Sequence, residues 1–274
     1  MSEAAKRYEE KRIQVGNAMK WCIAGAFCLL VPPVGILLIL IGFSKLKDAE
    51  RDMKSLYKDA FVREPLARNF EQVVYEPTKG FSLPTVLSFQ LCKQGDIFDS
   101  EDYIRAVHRG VMFEEAQVWL RGNEVKVGNS SQPTTFFKGR IMVFNFPSKI
   151  VSSVTVYDRN FEHRFLGKKE AKDLKVEMES VGFNNSFDVY SLAPHDAFYL
   201  LTPHVMERLQ AMAGKVESIA MRVVGNCVIL ALHEPDNDAF DAKVNIGKVV
   251  YEQEIAKVQG DIDDIKMFID VLLG

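Results

Sequence analysis

The longest uninterrupted apolar stretch of the sequence lies near the amino end. Residues 21–43 carry no charged side chain, whereas Lys20 precedes them and Lys45 and Lys47 follow them. As a helix this stretch would extend about 34 Å, at roughly 1.5 Å per residue, and a hydrocarbon core is about 30 Å thick. It exceeds the ~7 to 15 apolar residues of a secretory signal peptide, and no A-x-A-like cleavage site follows it. The pattern predicts a membrane anchor behind an N-terminal tail of residues 1–20.

A proline pair interrupts the middle of this predicted anchor. Pro32 and Pro33 remove two amide donors, so a helix would kink or turn there. Two topologies fit: a kinked single span, or a re-entrant hairpin whose arms begin and end on one side of the membrane. Five basic residues within 1–20 face five within 44–58. Because basic residues favour the cytoplasmic side, equal numbers on both flanks set no orientation for a single span. They are the charge distribution expected of a hairpin with both ends in the cytoplasm.

Residues 44–70 are rich in helix-forming residues and predict a juxtamembrane helix. Apolar positions such as Leu46, Met53 and Leu56 recur at helical spacing before Pro65. Interleaved acidic side chains offset the basic ones, which favours a solvated helix face over binding to anionic head groups.

From residue 71 onward the pattern becomes that of a β-rich domain. Residues 73–94 contain Pro77 and Gly80 and predict loop or short helix. Segments with the β-branched and aromatic content of strands predict an antiparallel meander. They are residues 103–107, 110–120, 134–146 and 150–157. Residues 174–181 alternate apolar and charged positions, which predicts a strand with Leu174, Val176 and Met178 facing inward.

Local turn and cap residues predict the elements that follow. Asn184, Asn185 and Ser186 predict a turn, and Pro194 predicts the start of a helical region. Thr202 as N-cap and Pro203 at the first helical position predict a helix over about residues 203–213. Gly225 and Asn226, between two apolar segments, predict a β-hairpin with a primed turn.

A long C-terminal helix is predicted over residues 246–273. Its apolar positions alternate in spacings of four and three, as in an a/d seam. They are Tyr251, Ile255, Val258, Ile262, Ile265, Ile269 and Leu272. The seam is typical of a homo-oligomer interface or of pairing with the juxtamembrane helix. It is equally typical of a terminal helix packed on a sheet, which the interrupting Gly260 favours. The predicted fold is α+β, with the anchor and juxtamembrane helix followed by a domain of residues 71–274.

Composition and charge exclude several classes of protein. A hydrophobic content of 47% over 274 residues supplies a full core and excludes disorder. The 34 Lys and Arg residues against 37 Asp and Glu leave no basic excess that could follow a phosphate backbone, so nucleic acid is excluded as the main partner. The four cysteines contain no CxxC pair, which excludes a disulfide framework or a zinc finger.

The search for chemistry yields weak candidates. Residues that distant loops might bring together as a catalytic site are Asp188, His195, Asp196 and His204. His204 and Glu207 have the spacing of one helix face, but this matches no metal signature, and no metal site is predicted. Residues 236–241 fail as an EF-hand because Phe240 stands where an oxygen ligand is needed. No Walker loop, G-x-S-x-G elbow or dinucleotide fingerprint occurs, so no cofactor is predicted, and Cys227 is interpreted as a structural thiol.

Several segments together resemble an uncharacterised bacterial family of membrane-anchored proteins, the domain of unknown function 3137. The similar segments are residues 137–146, 176–180, 183–184, 187–190, 199–203 and 206–209. They form a string of weak motifs over roughly residues 70–235. The resemblance implies the architecture and an N-terminal membrane region, but no activity.

The sequence departs from this family pattern in two places. Family members have two separate hydrophobic helices, whereas this chain has one apolar stretch divided by Pro32 and Pro33, which favours the hairpin topology. Members also carry an arginine just before the Tyr-Leu-Leu-Thr-Pro element, and that position is Phe198 here. Any anion-binding role of that arginine is therefore not carried over.

The function expected from the sequence is that of a membrane-anchored, non-enzymatic scaffolding or regulatory module. Its domain would work at the cytoplasmic face of a bacterial inner membrane, with the lipid bilayer, through residues 21–43, and an unidentified protein as partners. A hydrolase-like membrane-bound enzyme is the first alternative, and a lipid-binding domain is the second. Convergence of the candidate polar side chains in a deep pocket would favour the enzyme.

Overall fold

The computed structural model describes residues 3–27, 52, 56–127, 130–161, 174–235 and 251–274. The predicted anchor beyond residue 27 and the start of the predicted C-terminal helix lie outside these residues. The chain divides into two units, one of residues 1–69 and 239–262 and the other of residues 70–238 and 263–274. No helix within the described residues is both long and apolar enough to span a bilayer, so the anchor stays a prediction.

The first unit is helical in its described parts. Helix α1 (Glu3–Phe27) runs through most of the predicted tail, and a π-helical segment (Lys58–Arg63) leads directly into helix α2 (Glu64–Asn69). Aromatic side chains form its core because Tyr8 and Tyr57 pack against Phe61, with ring centroids 5.7 and 4.9 Å away. The described end of the predicted juxtamembrane segment is thus helical.

The second unit is built on one antiparallel sheet, which confirms the predicted β-rich domain. The strands are β1 (Glu71–Glu76), β2 (Ile97–His108), β3 (Val111–Val127), β4 (Ser130–Asn145), β5 (Val151–Asp158), β6 (Leu174–Val176), β7 (Phe187–Ser191), β8 (Ser218–Gly225) and β9 (Cys227–His233). Their order in the sheet is β1-β2-β3-β4-β9-β8-β5-β7-β6. Strands β2, β3 and β4 are neighbours in the sheet, as the predicted meander requires. Strand β5 is not a neighbour of β4, because the β8–β9 hairpin lies between them.

Two tight turns fix the register of the hairpins. The predicted β8–β9 hairpin forms, with Val224 paired to Cys227 across a two-residue turn. Gly225, the first turn residue, has a φ of 64°, which is the pattern of a type II′ turn. Between β2 and β3, Arg109 and Gly110 both have positive φ, the pattern of type I′.

Five further helices complete the fold. They are α3 (Leu83–Ser88), α4 (Val181–Ser186), α5 (Pro194–Leu200), α6 (Pro203–Ala213) and α7 (Tyr251–Leu273). The predicted start of α6 is confirmed, since the Thr202 hydroxyl accepts from the Val205 amide at 3.4 Å. The long C-terminal helix is also confirmed over its described part.

Three local predictions were wrong. Residues 73–76, the start of the segment predicted as loop or short helix, belong to strand β1, which pairs with β2, whereas the short helix α3 does form further along that segment. Asn184 lies in helix α4 rather than a turn, because Ser180 caps that helix and the Asn184 amide binds both backbone groups of Met178. Leu174 is exposed rather than inward, because β6 begins there at the end of the sheet.

The two faces of the sheet pack against different segments. On one face, Phe81, Val86 and Leu91, in and around α3, join the core formed by Val118 and Ile141. Side chains alternate between faces along a strand, so the neighbouring positions face the other way.

On that opposite face, Phe144 packs against Phe113 and against Phe268 of α7. Of the predicted seam, Ile265 and Ile269 in this unit are buried, and Val258 and Ile262 in the first unit are buried as well.

Candidate functional site

The sequence-derived candidates lie on three elements of the second unit. Asp188 is in β7, His195 and Asp196 are in the first turn of α5, and His204 is near the start of α6. His195 and Asp196 are adjacent in space as in sequence, with His195 Nε2 3.2 Å from Asp196 Oδ1. Asp188 and His204 lie next to other side chains, Lys175 and Glu207 respectively.

Asp188 forms an ion pair that joins the last two strands of the sheet. Lys175 Nζ on β6 lies 2.8 Å from Asp188 Oδ1 on β7. Hydrogen bonding to Asp188 raises the pKa of Lys175. Lys175 therefore stays charged at neutral pH, and the ion pair supports the short pairing between β6 and β7.

Asp196 fastens α5 to the beginning of β5. Its Oδ2 accepts a hydrogen bond from the Ser152 amide at 2.8 Å, which lowers the pKa of the Asp196 carboxyl. Ser191 adds a second connection, since its hydroxyl donates to the Ser153 carbonyl and accepts from the Ala193 amide. These bonds fix the seven-residue helix against β5 and β7.

His204 lies on the solvent side of α6. Its Nδ1 is 3.9 Å from Glu207 Oε2, and both side chains are largely exposed. Within the described ranges, no group of three or more histidine, cysteine, aspartate or glutamate side chains is placed to hold a metal ion. Burial raises the pKa values of the free thiols Cys92 and Cys227, so both stay protonated at neutral pH.

Helix α5 presents aromatic side chains to solvent. Ala197 and Leu200, three residues apart, are buried and define its inner face. Phe198 and Tyr199 lie on the outer side and are 47% and 72% exposed. His195 is three and four residues before them and shares that outer face. Large aromatic side chains at such exposure are typical of contact surfaces.

The last strand of the sheet borders this helix. Helix α5 contacts β5, β6 and β7. Leu174, at the start of β6, and Leu192, just after β7, are each 61% exposed. Leu174 pairs with Ser191, which places it beside the segment that leads into α5. We call the surface formed by Leu174, Leu192, His195, Phe198 and Tyr199 the edge surface.

Sequence reasoning missed most of the edge surface. Leu174 was predicted to face inward, and Tyr199 was noted only as part of a family motif. One local signal was present: a helix that starts at Pro194 with Ala197 and Leu200 on its inner stripe leaves the two aromatic residues outside.

The fold defines the class of the second unit: an α+β domain on a nine-stranded antiparallel sheet, with the edge surface at one end. The family model described as "Protein of unknown function (DUF3137)" matches residues 135–273, just over half of the chain. The chain belongs to this family, which confirms the resemblance seen in its sequence. The match begins well after the predicted anchor.

Two further comparisons accompany the family match. No curated protein matches the chain. Among solved structures, the chain is similar to the crystal structure of the mycobacterial trehalose monomycolate transport factor A, TtfA, at 13% identity and a TM-score of 0.39. That alignment covers 78% of this chain and 94% of the other.

Proposed function

We propose that this chain is a membrane-anchored, non-enzymatic interaction module. It holds a partner protein at the cytoplasmic face of a bacterial inner membrane, and residues 21–43 tether it to the lipid bilayer. The observation that carries the proposal is the edge surface, where Phe198 and Tyr199 stand exposed beside the last strand of the sheet.

The edge surface supports a protein partner by its chemistry. Tyrosine and other aromatic side chains supply much of the binding energy of protein interfaces because they bury a large area at little cost in conformational entropy. Strand β6 is the outermost strand of the sheet within the described residues, and an edge strand can pair through its backbone with one more strand. A partner with an extended apolar segment would pair with β6 and pack on Phe198 and Tyr199.

In this proposal the candidate carboxylates Asp188 and Asp196 have a structural role in the edge surface rather than a catalytic one. Asp196 holds α5 on β5, and Asp188 holds β6 on β7 through Lys175. Both carboxylates thus fix the two elements that display the exposed apolar residues. A hydrolase would need these groups to face one substrate, whereas Asp188 and His204 have different ion-pair neighbours, Lys175 and Glu207.

Photocrosslinking tests the proposal in the full-length chain. A photoreactive phenylalanine at position 199 should capture one protein in native membranes, and the same probe at exposed Gln210 should not. The double variant Phe198→Ser, Tyr199→Ser should reduce recovery of that protein at least about tenfold, as expected for two aromatic contacts near the centre of an interface.

Matched controls separate binding from folding. Met267→Ser removes an exposed apolar side chain on α7, away from the edge surface, and should leave recovery unchanged. Circular dichroism should give the same unfolding temperature for the double variant and the parent. Equal recovery by the double variant and Met267→Ser would contradict the proposal.

A further inference from the structure

A groove of about 410 Å³ lies where β1, β2 and α3 meet in the second unit. Aromatic and apolar side chains line it, among them Phe81, Phe89 and Tyr103. Two carboxylates, Glu76 and Glu114, and the ammonium group of Lys79 also line it. The groove is separate from the edge surface and shares none of its residues.

The ring of Phe81 stands roughly perpendicular to each of the other two aromatic rings in the lining of the groove. The centroid of Phe81 lies 5.7 Å from that of Phe89 and 6.0 Å from that of Tyr103, with interplanar angles of 85° and 86°. Aromatic faces attract a cation within about 6 Å of the ring centre because of their negative quadrupole. Clusters of aromatic rings, known as aromatic cages, bind quaternary and methylated ammonium groups.

The charges of the lining favour a cation. Glu76 and Glu114 carry two negative charges, and Lys79, whose Nζ is 2.5 Å from Glu76 Oε1, carries one positive charge. The Tyr103 hydroxyl donates to Glu114 Oε1, and burial together with that bond raises the pKa of Tyr103 to about 12. Tyr103 therefore stays neutral, and among the lining residues alone the two carboxylates exceed Lys79 by one negative charge. Arg105 is the ladder partner of Glu114 and is exposed outside the lining, and its positive charge, which acts on Tyr103 to lower that pKa, offsets part of this excess.

A β-bulge in strand β2 places Tyr103. The register shifts between Glu101 and Ile104, and Asp102 there adopts a φ of 57°, which is uncommon outside glycine. The Tyr75 hydroxyl donates to buried Asp102 at 2.6 Å and holds this conformation. Bulges of this kind turn a side chain toward a site, and left-handed non-glycine residues cluster at binding sites.

Gly80 and Ser100 place Phe81. The Ser100 hydroxyl accepts from the Phe81 amide at 3.0 Å and donates to the Gln117 carbonyl at 2.7 Å. A Cβ on Gly80 would lie 2.1 Å from the Ser100 oxygen, so only glycine allows this approach. The rings are thus held in position before any ligand arrives, which lowers the entropic cost of binding.

We propose that this groove binds a small quaternary ammonium group, as in choline. The trimethylammonium head would lie among Phe81, Phe89 and Tyr103, with Glu76 and Glu114 balancing its charge. A neutral ligand of the same shape would lose the ring and carboxylate attraction, and an anion would meet two carboxylates.

Isothermal titration of the full-length chain in a maltoside detergent tests this site. Choline should bind saturably, and its neutral carbon isostere, 3,3-dimethylbutan-1-ol, should bind at least about tenfold more weakly, because only the cation gains from the rings and carboxylates. Glu114→Gln and Phe89→Leu should each weaken choline binding about fivefold. Glu71→Gln removes an exposed carboxylate of β1 outside the groove and should leave binding unchanged.

A second arm of the titration distinguishes two sources of the ammonium group. Dihexanoylphosphatidylcholine, used below its critical micelle concentration, tests a lipid head group, and choline tests a free solute. Binding of choline alone identifies a free ligand, and binding of both identifies a head group, so either result places the ammonium in the groove. Equal binding of choline and its neutral isostere, or no saturable binding of either cation, would overturn the proposal.

Discussion

Gly139, in the Phe-Lys-Gly-Arg motif of β4 (residues 137–140), is required by a close backbone contact. A Cβ at this position would lie 2.0 Å from the carbonyl oxygen of Leu232 and 2.9 Å from the amide nitrogen of Glu234. Both atoms belong to backbone next to β4, so neither can rotate away. Any larger side chain would push β4 and β9 apart.

The variant Gly139→Ala should therefore destabilise the domain by at least about 2 kcal/mol, the range of overpacked cores. Urea unfolding followed by circular dichroism measures it. Gly182→Ala is the matched control, since nothing lies within 4 Å of its added Cβ and α4 would gain about 0.5–1 kcal/mol of helix propensity. Similar midpoints for both variants would contradict this account of the motif.

The arginine of the same motif, Arg140, forms an internal ion pair. Arg140 is buried and binds Glu234 through both Nε, at 2.7 Å, and Nη2, at 3.2 Å. Its Nη1 also lies 3.6 Å from buried Glu115. A guanidinium satisfies such a planar two-bond contact better than a lysine ammonium does. The motif thus places a close backbone contact next to an internal ion pair.

At the scale of elements, Asp264 links helix α6 to the part of α7 that lies in the second unit. Asp264 of α7 accepts from Arg208 of α6 at 2.7 Å and from Lys215, just after α6, at 2.7 Å. Burial by itself would raise the pKa of Asp264, but the hydrogen bonds from Lys215 and Arg208 outweigh it and lower the pKa.

This lowered pKa predicts a pH-dependent contribution to stability. The ionised carboxylate stabilises the fold above the unfolded pKa of about 3.9, and this contribution is lost as the pH falls through the lower folded value. Asp264→Asn should lower the unfolding temperature at pH 7, and its difference from the parent should shrink below about pH 4. Thermal unfolding between pH 2.5 and 7 measures this, with exposed Glu179→Gln as control. A constant difference across that range would argue against the linkage.

Helix α7 is held on the sheet by a buried aromatic contact. The ring of Phe268 lies 5.2 Å from that of Phe144, and both side chains are buried. Phe268→Ala should cost about 3–5 kcal/mol, the range for removal of a buried phenylalanine. Denaturant unfolding measures the free energy of unfolding of this variant and of the control Met267→Ala. The Met267 side chain is 46% exposed, so its replacement should cost no more than about 0.5 kcal/mol. Equal losses for the two variants would show that α7 does not depend on this contact.

At the scale of the whole molecule, the proposed anchor sets where the domain works. Deletion of residues 21–43 should move the protein from the membrane fraction to the soluble fraction, because the tether of about 23 apolar residues is removed. Residues 71–274 should keep their fold, measured as an unchanged near-ultraviolet circular dichroism spectrum. Continued sedimentation with membranes would contradict the anchor.

Labelling of single cysteines decides between the two anchor topologies. In a chain whose native cysteines are replaced, Ser2→Cys and Ser44→Cys report the two ends of the apolar stretch. If a membrane-impermeant thiol reagent labels both cysteines only after the cells are permeabilised, both ends are cytoplasmic, which supports the hairpin. Labelling of one cysteine from outside and of the other only after permeabilisation supports the single span.

How far the sequence predicts the fold depends on the range of the interactions that fix each element. The β8–β9 hairpin and α6 were predictable because Gly225 and Thr202 act within four residues of chain. Strand β1 and the place of β5 were not, because they depend on pairing with distant strands. The edge surface was missed for the same reason, since packing of α5 on β5 and β7 decides which of its side chains are buried. Helix α4 was missed although its cap is local, since Ser180 accepts from the Phe183 amide three residues later.

The amino-acid sequence by itself determined the α+β class, the family and the local turns and caps, because these follow from composition, spacing and contacts between near neighbours. Only the tertiary structure decided the strand order, the exposure of Phe198 and Tyr199, and the meeting of Glu76, Tyr103 and Glu114 from three strands in one groove. Those features arise from pairing between residues far apart in the chain, whose choice of partner depends on the packing of the whole domain.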